Sequence, residues 1–208
     1  MVRLSRRTIL LAGSAWAFAG GGECNVSTQT TARPSLPIPP ELRADAAGSI
    51  KLEAQTGTMR FLGDRETATY GVNGPYLGPA LRLRRGETVT VQVTNNVPEN
   101  ITMHWHGLII PADVDGAEEE KSLAVPAHGH LRYRLTPRPS GARFVHTHVM
   151  PMADLNRGTY TGQFGFVYIE PKNNPGQYDQ EIFLATHEWE PYFTTAEEEE
   201  EDDRLRSS

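Results

Sequence analysis

The feature that most constrains this chain is a period-two alternation of apolar and polar side chains, carried in short runs and broken repeatedly by turn residues. Val89, Val91 and Val93 alternate with Thr90 and Gln92, and Leu131, Tyr133 and Leu135 alternate with Arg132 and Arg134. Successive side chains of a strand point to opposite faces, so runs of this kind read as half-buried strands. Residues 50–54, 58–62, 80–84, 101–109, 142–148 and 162–170 are further candidates. Asn73-Gly74-Pro75, Arg85-Gly86, Asn95-Asn96 and Pro139-Ser140-Gly141 separate them with turn chemistry. Apart from one helical turn expected near residues 154–160, no amphipathic helix interrupts the series. The pattern predicts an all-β fold, an antiparallel β-sandwich occupying residues 49–172.

Sequence outside that span has a different character. Residues 1–24 read as a leader: Ser5-Arg6-Arg7-Thr8-Ile9-Leu10 resembles the twin-arginine export motif, an apolar stretch follows, and Ala15, Ala17 and Ala19 offer small-residue cleavage sites. Periplasmic or secreted localisation is therefore expected. Glu23 beside Cys24 does not fit a lipoprotein cleavage box. Residues 25–48, with Pro34, Pro37, Pro39 and Pro40, read as a linker. Residues 173–193 contain an apolar run, Ile182-Phe183-Leu184, expected to be the start of a second domain or an inter-domain strand. In the last segment, 194–208, seven consecutive acids at 197–203 meet only Arg204 and Arg206, so this tail accounts for five of the net charge of −6. Such a charge run reads as a solvated, disordered segment. No basic stripe indicates a nucleic-acid partner, and no run approaches the roughly 18 apolar residues of a membrane span.

The seven histidines are unevenly placed. His104 and His106 flank Trp105, and His146 and His148 flank Thr147. On a strand, residues two apart share a face with Cα atoms about 6.5 Å apart, so each pair presents two imidazoles together. Two such strands lying side by side would converge four rings on one patch. Imidazoles without a thiolate suit copper, zinc, iron or nickel, with copper(II) highest in intrinsic affinity. His128 and His130 also form an H-x-H, but beside Pro126 and Gly129 they read as exposed turn histidines. His187 reads as packing near the expected second-domain junction. Met150 and Met152 read as loop packing, and Asp113 and Asp115 as either turn formers or carboxylates able to pass protons to the site.

The order of motifs is more specific than any one of them. Residues 76–87, beginning Tyr76-Leu77-Gly78-Pro79, lead into Val91-Gln92-Val93-Thr94-Asn95, then His104-Trp105-His106-Gly107 and Asp113-Val114-Asp115-Gly116. Arg143-Phe144-Val145-His146-Thr147-His148 and residues 162–169 follow. Across roughly residues 67–190 this closely resembles the first cupredoxin (plastocyanin-like) domain of multicopper oxidases such as laccases and bacterial cuprous oxidases. The resemblance implies a Greek-key cupredoxin sandwich giving four ligands to a trinuclear copper centre. It assigns His104 to the type 2 copper, His106 and His146 to one type 3 copper, and His148 to the other. It also implies O2 and a small reducing substrate, a phenol or a metal ion, as reaction partners.

The departures are equally definite. The family's H-C-H and H-x-x-H-x-H motifs are absent, and no cysteine follows Cys24 to form a type 1 blue site. By itself the chain holds half of a catalytic site, completed by a further cupredoxin domain or another subunit. A non-catalytic copper-binding cupredoxin module is the alternative. A copper nitrite reductase relative ranks lower, because that family has cysteine where this chain has Thr147.

Overall fold

The computed structural model describes residues 38–117, 121–149, 157–173, 176 and 178–188. The expected leader, most of the linker, Met150, Met152 and the acidic tail lie outside them. The described residues form two β-sheets packed face to face. The first has the order β1 (Glu41–Arg43), β4 (Ala80–Arg84), β9 (Phe164–Glu170), β8 (Gly141–His146) and β6 (His104–His106). The second has the order β3 (Thr67–Val72), β2 (Ser49–Met59), β5 (Val89–Asn95) and β7 (His130–Leu135).

The alternation read from the sequence is what joins the sheets. Val89, Val91 and Val93 of β5 and Ile50, Leu52 and Ala54 of β2 face Leu81 and Leu83 of β4 and Val167 and Ile169 of β9 in one buried cluster. Trp105, Tyr133 and Val145 complete it near the β6 end. Each fully buried aliphatic side chain contributes about 1.5–3 kcal/mol, which makes this cluster the main stabilising term.

Several expectations need correction. The sandwich is not purely antiparallel: β1 with β4, β2 with β5 and β4 with β9 all run parallel. Parallel neighbours require long crossovers between sheets, and local alternation carries no information about those. Residues 50–54 and 58–59 belong to one 11-residue strand, β2, which pairs with β5 along its first half and with β3 along its second, while residues 60–62 lie beyond its end. Residues 101–109 hold only a three-residue strand, β6. β3 was not anticipated, because Thr67 and Thr69 occupy its inward positions, with the Thr69 hydroxyl donating to the Pro75 carbonyl at 2.6 Å. β1 lies inside the segment read as a linker. Of the helical turn expected at residues 154–160, the first three residues lie outside the described ones, and 157–160 form a bend and turns.

Residues 180–188, expected to open a second domain as a strand, have no strand pairing among the described residues. They lie across the first sheet, Phe183 against Phe166 at 5.3 Å between ring centroids and Glu181 paired with Arg82.

At the parallel edge, Glu170 of β9 accepts from Arg43 of β1 at 3.0 Å and from Arg82 of β4 at 3.1 Å. Arg43 first, and Arg82 after it, hold the Glu170 carboxyl below its usual 4.5. A carboxyl depressed in the folded state stabilises above its unfolded value, and that stabilisation is lost as pH falls through the folded value. The cluster is partly solvated and screened by salt, which caps its worth at about 1 kcal/mol. Glu170→Gln should therefore lower stability by up to about that amount at neutral pH. The difference from the wild type should shrink towards zero as denaturation curves are taken to pH below the ordinary carboxylate range. A difference independent of pH would mean that the ion pairs contribute nothing.

Candidate metal centre

β6 and β8 are antiparallel neighbours at one edge of the first sheet, in a register that sets His104 opposite His146, Trp105 opposite Val145 and His106 opposite Phe144. Trp105 and Val145 turn into the core, 1% and 5% exposed. The pleat therefore throws His104, His106, Phe144 and His146 onto the opposite face. Donor nitrogens of His104, His106 and His146 all lie within 4.8 Å of one another. Ring centroids are 5.2 Å apart for His104 and His146, 5.5 Å for His104 and His106, and 5.6 Å for His106 and His146. His148 lies two residues past the end of β8, yet its ring is 4.9 Å from that of His104 and 5.7 Å from that of His146. All four histidines singled out in the sequence thus meet in one place.

Two of them have their second nitrogen engaged by a backbone carbonyl. His104 Nδ1 meets the Asp115 carbonyl at 2.9 Å, and His146 Nδ1 meets the Thr147 carbonyl at 2.8 Å. A carbonyl oxygen only accepts, so in each neutral ring Nδ1 carries the proton and Nε2 keeps its lone pair. This is the usual way a metal-binding imidazole is oriented. Burial, above all, pushes His146 down to about 4 from 6.5; the Thr147 carbonyl opposes the shift and the neighbouring histidines reinforce it. His146 is accordingly neutral at ordinary pH, the form a metal requires. Phe144 stacks on both His106, at 4.3 Å and 23°, and His146, at 4.8 Å and 17°, so one aromatic plate fixes the planes of two rings.

The residues fit a copper-type ion. The donor set is imidazole alone. Two imidazole nitrogens, each about 2.0–2.1 Å from a shared ion, stand about 3.3 Å apart at a tetrahedral angle. His146 Nε2 and His106 Nδ1 stand 3.4 Å apart.

The sequence left Asp115-Gly116 open between a turn and a proton-handling role. The structure shows the turn clearly. A 3-10 turn, Ala112–Val114, delivers Asp115 so that its carbonyl accepts from both His104 Nδ1 and the Trp105 N–H, the latter at 3.1 Å. Gly116 has φ +81°, and a Cβ there would overlap the Met103 carbonyl. Ser122 locks the turn, accepting from the Gly116 N–H at 2.9 Å and donating to the Ala112 carbonyl. The Asp115 carboxylate also reaches His104, Oδ2 lying 3.4 Å from Nδ1. Sequence reasoning missed Ser122 and the stacking role of Phe144. Ser122 belongs to no metal-ligand motif and reaches the site only through the loop after the 3-10 turn, while Phe144, although inside the motif that ends at His148, is set against His106 only by the β6–β8 register.

The other candidates lie elsewhere. His128, with φ 54°, and His130 are exposed at the start of β7. His187 packs edge-on to Tyr160 and Phe164, at 5.5 and 5.8 Å, with Nδ1 3.5 Å from the Tyr76 hydroxyl; burial pushes its pKa down.

The sequence profile of multicopper oxidases matches residues 53–174. Over 133 residues the chain is 35% identical to multicopper oxidase mco of Staphylococcus aureus, covering 62% of this chain and 29% of that protein. Over 199 residues it is 26% identical to copper resistance protein A of Escherichia coli, covering 91% of this chain and 30% of that protein. Its fold matches the solved structure of a bacterial laccase-like multicopper oxidase, CueO, from the lignin-degrading bacterium Ochrobactrum sp. The TM-score is 0.60 at 34% identity, over 66% of this chain and 30% of that one. The chain spans less than a third of the length of each of these relatives.

Gly116→Ala should cost about 2–4 kcal/mol in chemical denaturation, through strain at a left-handed position and overlap with β6. It should also weaken copper binding at least about tenfold, because the carbonyl that orients His104 is displaced. Gly74→Ala, where an added Cβ meets nothing within 4 Å, is the control and should change neither. Equal behaviour of the two variants would refute the role given to the Asp115 turn.

Proposed function

We propose that this chain, which belongs to the multicopper oxidase family, contributes His104, His106, His146 and His148 as four ligands of a trinuclear copper centre. The observation that carries the reading is the convergence of His104, His106 and His146 on one sheet face, with His148 beside them just past the sheet and two carbonyl-oriented tautomers. In this reading His104 serves the type 2 copper, His106 and His146 one type 3 copper, and His148 the other. The remaining ligands and the type 1 site come from a further cupredoxin domain, in the same polypeptide or in another subunit. The assembled protein is a copper-dependent oxidoreductase that oxidises a phenol or a metal ion with O2. The Ochrobactrum relative has oxidase activity towards lignin model compounds and lignosulfonate, which supports a phenolic reductant.

Bound copper would supply the one-electron redox steps that together deliver four electrons to O2. This chain's residues bind and orient. Asp115 and Thr147, through their carbonyls, hold Nδ1 of His104 and His146 and leave Nε2 of each ring to the site. Phe144 restrains His106 and His146 against rotation. The Asp115 carboxylate, 23% exposed and in contact with His104, is a place where a proton from solvent can be held at Oδ2.

Export through the twin-arginine route to the periplasm or the exterior is part of the proposal, supported by Arg6-Arg7 and the apolar stretch after them. Among the described residues no helix is long and apolar enough to cross a membrane.

A second reading, a copper-binding module without oxidase activity, is favoured by one fact: the only cysteine is Cys24, so the chain cannot form a blue copper site. Metal analysis and electron paramagnetic resonance on the purified chain test both. The expected result is stoichiometric copper without a blue absorption band, reduced in His104→Ala and His148→Ala. Oxygen consumption should appear only when a domain carrying the type 1 ligands is supplied. Copper binding with no oxygen chemistry in the full assembly would establish the module reading. Failure to bind copper in any form would overturn the ligand assignment.

A further inference from the structure

His148 has no strand to hold it. The β6–β8 ladder ends at His104 with His146, and the β8–β9 ladder at His146 with Phe164. One more backbone bond follows, from the Thr147 N–H to the Gln163 carbonyl at 3.2 Å, and beyond it two threonines take over. The His148 N–H donates to Thr102 Oγ1 at 2.8 Å, and in return the Thr102 N–H donates to Thr147 Oγ1 at 3.3 Å. The Val149 N–H reaches the same Thr147 oxygen at 3.5 Å, and the Thr159 hydroxyl donates to the Thr147 carbonyl at 3.0 Å. Thr102 is fully buried and Thr147 is 7% exposed, so the bond from the Thr102 N–H to Thr147 Oγ1 is made away from water and the other three are partly shielded from it.

We infer that Thr102 and Thr147 form a reciprocal brace that positions His148 against His104, making Thr102 a positioning residue of the metal centre. Thr102 stands two residues before His104, and its hydroxyl holds the backbone of His148. One side chain therefore fixes the spacing between the start of β6 and a segment that has left the sheet. The product is the 4.9 Å separation of the His104 and His148 rings. Backbone pairing alone sets His104 against His146; the brace extends that control to the fourth imidazole. The inference rests on the reading of these histidines as copper ligands, but its geometry can be tested without copper.

Buried threonines also serve simply to fill space, and the two roles respond oppositely to a pair of substitutions. Thr102→Val keeps the shape and removes the acceptor. Thr102→Ser keeps the acceptor and leaves a methyl-sized gap. The first readout is amide hydrogen exchange of the metal-free 208-residue chain. Exchange at His148 should accelerate about tenfold or more in Thr102→Val relative to the wild type, beyond any change in global stability, and stay near the wild type in Thr102→Ser. Unchanged protection at His148 in Thr102→Val, or an equal loss in Thr102→Ser, overturns the brace. Should Thr102→Val fail to fold, Thr147→Val tests the other half, with acceleration expected at the Thr102 and Val149 amides and its absence overturning the inference.

The second readout is copper affinity by chelator competition, with the paramagnetic resonance signature of the loaded chain. Thr102→Val should bind about tenfold more weakly with an altered signal, as expected for loss of a group that orients a ligand, and Thr102→Ser should match the wild type. Wild-type affinity and signal in Thr102→Val would overturn the positioning role. If the wild-type chain binds no copper, the functional reading falls, and the exchange data still decide whether the brace exists.

Discussion

Trp105 and Val145 face one another across the β6–β8 ladder with their side chains in the core, and the chemistry of this protein depends on that pair. A pleated strand cannot bury one residue without exposing its neighbours on the other side. Packing Trp105 inward therefore places His104 and His106 together outside, and packing Val145 inward does the same for Phe144 and His146. A slip of one residue in this register would exchange core and site wholesale, so the energy that holds the core also holds the imidazoles. The histidine cluster is a consequence of core packing rather than a separate structure added to it.

Holding rings near one another is not the same as presenting lone pairs. That second task falls to backbone carbonyls, from Asp115 in a turn and from Thr147 beside His146, and to the stacked ring of Phe144. The turn in turn depends on Gly116, the one residue type that tolerates both its backbone angle and its contact with Met103. Support of this kind surrounds all of the site for which the sheet supplies a neighbour. Where the sheet ends, at His148, side-chain hydroxyls replace ladder bonds.

Much of this was legible in the chain itself, and the failures share a cause. β4 matches its expected range, and β5 and β7 lie within a residue of theirs, because their core-facing positions are Val, Leu and Tyr in strict alternation. β3 escaped notice because threonines take its inward places and satisfy their hydroxyls locally. β1 was hidden among prolines and has only three residues, held by pairing with β4 and by the charges around Glu170. β2 read as two strands because its partner changes midway along its length. The apolar run at 182–184 signalled a strand, but in the structure it makes side-chain contacts with the first sheet and no ladder.

By itself, the sequence determined the fold class and the common face of His104 and His106, since both follow from a two-residue period acting within single strands; the strand expected to carry His146 and His148 together stops at His146, so their meeting does not. It also showed that the sandwich residues carry imidazoles but no thiolate, since Cys24 lies before them. Only the tertiary structure decided that β6 and β8 are neighbours, that three pairings in the sandwich run parallel, and that Asp115, Thr147 and Thr102 reach the histidines. The reason is physical: periodicity records which face a residue occupies, whereas neighbours and register are settled by non-local packing of whole faces, which no short window of sequence contains.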